Sequence, residues 1–415
     1  MNATTRLRRL SLFGAVYFVQ GAVLTYFSTF NVLYLRSFEL SFTRIGIVGG
    51  ITLIPFVLKI VIGLISDRVN PLGLGHRRPF IVLGLLAQTA AFLLFPSLDP
   101  VQEFPLFVAL CLLAALGMST YDTCTDGLSI DTTPEEERGV VQGIMVGGRA
   151  LSAVVMAAVM GLLSQRGQWP TVFTGIAALG LLTVPLALLV PEPRIRPAEQ
   201  TFSLQAFRSL LDGAFLLFLL QGLVYPLTLW SANGMSGVFL NEVLGVRLGR
   251  VGLYTSVFGL GTVTGGLTGG PLTKRVGRQT SVVIALLLTS ATVFGLALLR
   301  SPAAGWVVVF LFGVAFGCYE TVYMTLGMDF ADPRIAAFMF AIVMAVGNVG
   351  IGLGQPLSGV LVDAVGFRWM FAVLAGLNLL TLPAVFGVFR LREDIGRPTG
   401  RAHTGGAPPR MSEAA

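Results

Sequence analysis

Lysine is almost missing from this chain: Lys59 and Lys274 are the only two in 415 residues. Leu58 and Thr273 precede them, so no GK[ST] phosphate loop exists, and any pumping by this protein does not run on an ATPase of its own. Histidine is as scarce. His76 lies in a basic loop and His403 in the tail, which excludes an HExxH helix or a histidine triad within the apolar segments. The three cysteines, Cys111, Cys124 and Cys318, form no CxxC pair and have no histidine nearby. They read as small apolar packing residues rather than a metal site or a disulfide framework. Charge is also sparse, at 12% against 54% hydrophobic residues, with a mean hydropathy of +0.80. Too little polar surface remains to clothe a soluble globule of this size. The expectation is a membrane protein that is not an enzyme and has no cofactor and no metal. The net charge of +7 does not point to nucleic acid, because the basic residues sit in short loops and form no face.

What is present is organised around Pro55 to Phe80, PFVLKIVIGLISDRVNPLGLGHRRPF, where an apolar helix bearing Lys59 runs into a short basic loop. A weaker copy, GPLTKRVGRQ, lies at Gly270 to Gln279. Apolar runs of about 20 residues predict twelve spans, at 10–35, 45–66, 79–97, 104–130, 139–164, 170–190, 210–240, 250–272, 280–299, 304–329, 335–362 and 369–390. The first is too long for a signal-peptide core and no A-x-A-like site closes it, so it remains as a membrane helix. The expected organisation is a six-helix bundle over 1–190, a cytoplasmic linker at 191–209, a second six-helix bundle over 210–392 and a disordered cytoplasmic tail at 393–415. Basic residues mark orientation. Apart from Lys59 and Arg149 inside spans, only Arg36, Arg44, Arg166, Arg247, Arg250, Arg300 and Arg368 fall on the side opposite the termini, so both termini are expected in the cytoplasm of a multi-pass inner (plasma) membrane protein.

The two sets of six repeat each other. Gly117 and Gly127 precede Gly317 and Gly327 by 200 positions, and Arg149 and Gly167 precede Asn348 and Gly366 by 199. Parallel repeats of this kind place a substrate cavity between the halves near the membrane midplane.

Gly63, Asp67, Arg68, Gly75, Arg77 and Arg78 resemble the signature loop between the second and third helices of the major facilitator superfamily, and the resemblance covers the full twelve-span length. The long loop ending in Pro79-Phe80 is similar to the glycoside-symporter branch. Pro55 with Lys59, and DTCTDGLSIDTTPEEERG followed by GGR, look more like the muropeptide-permease and acetyl-CoA-transporter branch. Two residues depart from these patterns. Lys59 stands in the region where sodium-coupled sugar symporters have acids, and Tyr121 stands where the muropeptide branch has Gln. The resemblance implies an all-α fold of two pseudo-symmetric six-helix bundles. It also implies a cytoplasmic gate in which Asp67 docks on the start of the eleventh span near Ile335, Arg77 meets Asp131, and both contacts exist only when that side is closed.

Five charges fall inside predicted spans: Lys59, Asp122, Asp126, Arg149 and Glu320. Helical rise puts four of them within about 8 Å of the midplane and Asp126 one turn deeper. Each costs about 2.5 to 3.5 kcal/mol at the bilayer centre, so they are expected to face one another or a wet cavity. Two readings follow. In one, Glu320 and Asp122 carry protons while Lys59 and Arg149 pair with them or anchor an anionic solute. In the other, the two cations neutralise Asp122 and Asp126 as fixed structural pairs. Glu320 stands out because its own half offers no basic partner. Tyr17, Gln20, Gln221, Tyr225, Asn233, Asn348 and Gln355 are polar enough to hydrogen-bond a solute or to join helices. Gly222 and Pro226 predict a break in the seventh span.

The function expected is secondary active transport of a small organic solute, with anionic solutes among the candidates, by alternating access and proton symport. The partners are that solute, protons and membrane lipid, with no nucleic acid, and the protein is expected to be a monomer. Proton-coupled efflux is second, since the fifth span (Gly139 to Ser164) has no proline and so lacks the Gly-Pro element of drug antiporters. A non-transporting assembly or pigment-handling factor on the same fold is the alternative from another class.

Overall fold

The computed structural model describes residues 3–73, 75–134, 137–190, 192, 211–330 and 336–392. Nearly all of the linker expected at 191–209, the tail expected at 393–415, and Ile335 lie outside them. Among the described residues every regular element is helical. That follows from lipid as solvent, since a helix satisfies its backbone bonds within the segment that crosses.

The elements are α1 (Ala3–Thr25), α2 (Asn31–Arg36), α3 (Phe42–Ile51), α4 (Ile54–Val57), α5 (Lys59–Arg68), α6 (Arg78–Leu94), α7 (Phe104–Thr132), α8 (Arg138–Gln165), α9 (Trp169–Leu189), α10 (Gly213–Glu242), α11 (Leu248–Val276), α12 (Arg278–Leu298), α13 (Pro302–Phe330), α14 (Ala336–Val365), α15 (Phe367–Leu379) and α16 (Leu382–Leu391). A π turn at Tyr26–Phe30 joins α1 to α2 as one rod. Among the described residues eleven helical runs are long and apolar enough to cross a membrane. The twelfth expected span is α11, whose 29 residues match its neighbours in length but whose glycines and threonines keep its hydropathy low.

Two helices differ from expectation. α10 runs unbroken through Pro226. Tertiary packing holds it there, because the Tyr323 hydroxyl seats against Gly222 and Gly347 of α14 lies beside the freed Gly222 carbonyl. The break falls instead in the second span, which is three pieces, α3, α4 and α5, interrupted at Thr52–Leu53 and at Leu58 (φ −80°, ψ 3°). Pro55 lacks the amide that would bond back towards Ile51 and disfavours the helical conformation in the residue before it.

With twelve crossings, both described ends of the chain emerge at the end of the bundle that carries the DRVNPLGLGHRR loop, called here the basic end. The helices sort into two groups: α1 to α9 pack largely among themselves, as do α10 to α16. The repeat is imperfect in its partners. Gly117 of α7 lies against Gly84 of α6, whereas Gly317 of α13 lies against Thr262 of α11.

Two seams join the halves, and both are tight at the far end. In one, α3 packs on α14 with Gly46 against Gln355 and Gly359 against Phe42. In the other, α8 packs on α11, where a Cβ on Gly161 would come within 2.8 Å of the Gly252 Cα. Each seam carries a helix cap supplied across the halves. Asp363, at the C-terminal end of α14, accepts from the Phe42 amide (3.1 Å), the Thr43 amide (2.7 Å) and the Thr43 hydroxyl (2.7 Å) at the start of α3. Gln165, at the end of α8, accepts from the Gly249 amide (3.0 Å) at the start of α11. A two-pronged ion pair from Arg36 to Glu242 (2.7 and 3.2 Å) adds a third tie. The seams reach the middle at Asn348 Nδ2 to the Phe56 carbonyl (3.3 Å) and at Gly259 beside Val154. Nearer the basic end, a side chain added at Gly143 or Gly147 would meet open space. Among the described residues the halves are therefore closed at the far end and parted at the basic end.

The Asp363 cap leads to a measurable expectation. Asp363→Ala removes an N-terminal cap of the kind that stabilises by about 1 to 2 kcal/mol. The Phe42 and Thr43 amides are then expected to exchange hydrogen roughly tenfold faster, while the amides of α12 keep their rate.

Candidate functional site

The site is built from α7 outward. Asp122 and Asp126 are four residues apart and so project from one face of that helix. Facing them on α1 are Gln20 and Tyr17, three apart on a matching face. Gln20 Nε2 donates to Asp122 Oδ1 (2.7 Å), and the Tyr17 hydroxyl donates to Asp126 Oδ1. Lys59 is the first residue of α5, just past the break at Leu58, and its ammonium pairs with Asp122 Oδ2. Asp122 is buried, 4% exposed, with one oxygen held by an amide and the other by a cation. Asp126 and Lys59 are only partly buried and border the open space.

Arg149 on α8 joins this group differently. Its side chain is exposed, its guanidinium lies over the Tyr17 ring (5.9 Å to the centroid), and it interacts electrostatically with Tyr17, Lys59 and Asp126. It also interacts electrostatically with Glu320, on α13 of the other half. Glu320 accepts from the Trp230 indole N–H (3.4 Å) and interacts with the Tyr225 hydroxyl. Lys59, Asp126, Arg149 and Glu320 thus border the space between the halves, and Asp122 lies buried behind Lys59.

The polar residues divide. Tyr17 and Gln20 belong to the charge cluster. Gln221 is fully buried and donates to the Tyr319 hydroxyl (2.8 Å), and Tyr225 packs against Tyr319 and Tyr323 with centroids 4.7 and 4.6 Å apart. Tyr225, Tyr319 and Tyr323 form an aromatic wall beside Glu320, and Gln221 is tied to it through Tyr319. Asn233 is buried on α10 next to Gly234, which approaches Ser28 and Gln355. Asn348 and Gln355 are partly buried on α14 where it meets α3 and α4: Asn348 donates to the Phe56 carbonyl, and Gln355 packs beside Gly46 and Gly49.

At the basic end Arg77 sits 3.5 Å from Asp131 and donates to the Ser66 hydroxyl (2.7 Å), lying over Gly127. This contact exists although that end is open. Both residues belong to the same half, so the pair need not break when the halves part, contrary to the expectation that it marks closure. Gly63 faces Thr123, and Arg68 is exposed. Among the described residues the Arg78 guanidinium pairs with no acid; it donates to the carbonyls of Ala187 (3.3 Å) and Leu188 at the end of α9. The expected docking of Asp67 near Ile335 lies outside the described residues.

Two elements of this end were not legible as candidates. Glu192 sets its carboxylate into the backbone amides of His76 (2.8 Å), Arg77 (2.9 Å) and Arg78 (3.2 Å) at the start of α6. Gly75, at φ 120°, leaves room that a Cβ would take from it. Arg9, 2% exposed, holds the Thr132 carbonyl and, with Arg6, Glu137, pinning α1 to the turn between α7 and α8. The available signal is chemical: an arginine at the very start of the first apolar run needs a carboxylate once that helix packs, and EEER after α7 supplies one.

Comparison with known proteins agrees with this architecture. The model of the Major Facilitator Superfamily matches residues 13–351. The anhydromuropeptide permease of Escherichia coli (strain K12) is 26% identical over 341 residues, covering 79% of this chain and 69% of that protein. The folate-biopterin transporter of Synechocystis is 28% identical over 257 residues, covering 59% and 51%. Among solved structures, a bacterial homologue of the lysosomal transporter Spinster, in an inward-facing and unoccupied conformation, superposes with TM-score 0.75 at 16% identity over 96% of this chain and 99% of that one. The nucleoside transporter NupG gives 0.78 at 15% over 94% and 100%. At such identities the structural likeness speaks for the fold alone.

Proposed function

The chain belongs to the Major Facilitator Superfamily, and we propose that it carries a small organic solute inward together with protons, by alternating access. In this reading it is a multi-pass protein of the inner (plasma) membrane with both termini cytoplasmic, so the parted end faces the cytoplasm. Rocking of the halves exposes the central charges to one side and then the other.

The observation that carries the reading is the inequality of the three carboxylates. Asp122 is held by an ammonium and an amide. Asp126 and Glu320 border the cavity, and their hydrogen bonds come from a phenol and an indole, both neutral donors. A proton arriving at Asp122 would have to displace Lys59 or Gln20, whereas Asp126 and Glu320 can exchange one with water in the cavity without displacing a cation. The proton role therefore falls to Glu320 and to Asp126 rather than Asp122. Lys59 and Asp122 are better read as a fixed pair, with the sodium-type site of the sugar symporters replaced by an ammonium.

The permease relatives make anhydromuropeptides the first solutes to test. With one proton per solute and a gradient of one pH unit, proteoliposomes are expected to accumulate solute about tenfold. Glu320→Gln is expected to abolish accumulation while solute exchange across the membrane continues. Accumulation that ignores the pH gradient, or that survives both Glu320→Gln and Asp126→Asn, sinks the symport reading.

A further inference from the structure

We propose that Arg149 is the receptor for a carboxylate on the transported solute, and that Glu320 competes with that carboxylate for the same guanidinium. The inference rests on the transport reading and names the class of solute. Of the two cations at mid-membrane, Lys59 is committed to Asp122. Arg149 is not: among the described residues its side chain makes no hydrogen bond and no ion pair, and it is exposed to the parted space. Yet it is held in place. The ring beneath it belongs to Tyr17, whose hydroxyl is anchored on Asp126, so the guanidinium rests on a fixed platform with its hydrogen-bonding edge unspent.

An arginine left uncommitted at mid-membrane is expensive once the cavity closes and water leaves, so an anion must meet it in the occluded state. The protein offers Glu320, which Arg149 already reaches electrostatically from α8. The other groups facing Glu320 are Trp230 and Tyr225 on α10 and Tyr323 on its own helix. Those facing Arg149 are Tyr17 on α1, Asp126 on α7 and Lys59 on α5. When empty, the carrier closes with Arg149 drawn to Glu320. A solute carboxylate takes the two-pronged edge of the guanidinium and leaves Glu320 facing another negative charge, which a proton on Glu320 removes. Binding of carboxylate and of proton thus favour each other, reciprocally and one for one. A carboxylate fits better than a phosphate, because a dianion here would also face Asp126 and Glu320 across a narrow space.

The test uses the full chain, purified in detergent, with N-acetylmuramic acid, N-acetylglucosamine and N-acetylglucosamine 6-phosphate as probes that share a sugar and differ in charge. Wild-type protein is expected to bind the muramic acid at least tenfold more tightly than either other probe, and more tightly at pH 5.5 than at pH 8. Arg149→Gln is expected to erase that preference, and Arg149→Lys to restore part of it. Glu320→Gln is expected to keep the preference and lose its pH dependence. A ligand-free cycle of Arg149→Gln, Glu320→Gln and the double variant, read as melting temperature at pH 8, is expected to show non-additive losses. No carboxylate preference in wild type, a preference for the phosphate, or a preference that survives Arg149→Gln overturns the assignment. Because these measurements use no gradient, a carboxylate preference lost in Arg149→Gln, alongside solute accumulation that survives both Glu320→Gln and Asp126→Asn, would retain this inference and remove only the proton symport.

Discussion

Lys59→Met is expected to lower the melting temperature of the purified protein sharply, and the double variant Lys59→Met/Asp122→Asn to recover most of the loss. The single variant leaves a buried carboxylate, 4% exposed, with Gln20 as its remaining partner. Removing one member of a buried ion pair costs about 3 to 5 kcal/mol, because the other charge stays desolvated. The lower end applies here, since the Lys59 side chain keeps 30% of its surface and water reaches it from the cavity. Neutralising both members removes the stranded charge, and a neutral pair of similar volume is often tolerated. Transport then separates the two sequence-level readings of these charges. A stable double variant that still accumulates solute makes the pair a structural tie between α5 and α7. A stable but inactive one gives it a part in the cycle. If Lys59→Met alone melts like wild type, the pair is not holding the second span against α7 at all.

That distinction could not be read from the sequence, although much around it could. The twelve apolar runs were legible because lipid allows one local solution, and α11 was recoverable despite its glycines because its length and flanking charges match its neighbours. The facing of Asp122 and Asp126 followed from a spacing of four. Which of them takes Lys59 did not, because that depends on where the second span breaks. Pro55 announces a disturbance, but the last interruption comes at Leu58, three residues on, and makes Lys59 the first residue of α5. The same limit misplaced the break expected at Pro226, where the cost of a missing hydrogen bond is outweighed by packing from Tyr323 that periodicity does not reveal. Asp363 was legible in principle. A carboxylate in the last turn of a helix opposes that helix's own dipole, so it implies the start of another helix nearby.

Gly252→Val, in the α8 to α11 seam, is expected to leave the protein folded but to part the halves at the far end, whereas Gly317→Val is expected to unfold it. Both substitutions place a side chain against backbone: at Gly252 against the Ala157 carbonyl and Gly161, at Gly317 against the Thr262 carbonyl and Gly266. Forcing atoms into a close-packed contact costs about 1 to 3 kcal/mol, and more where the obstacle is backbone that no rotamer change can move. The local clash is alike and the escape routes differ. α13 and α11 belong to the same half, so the Gly317 clash can be relieved only by unpacking that half. α8 and α11 belong to different halves, and the rotation that opens the far end separates them at no cost in core packing. A clash of about 3 kcal/mol felt in one state alone shifts the equilibrium between states by more than a hundredfold. Spin labels at Glu39 and Arg247, both exposed at the far end, are expected to move apart in Gly252→Val with the melting temperature near that of wild type. An unchanged label distance in a folded Gly252→Val protein would mean that the seam yields locally and does not gate access. If Gly317→Val instead proved as stable as Gly252→Val, the α11 to α13 contact would be sliding during transport, and the halves would not move as rigid bodies.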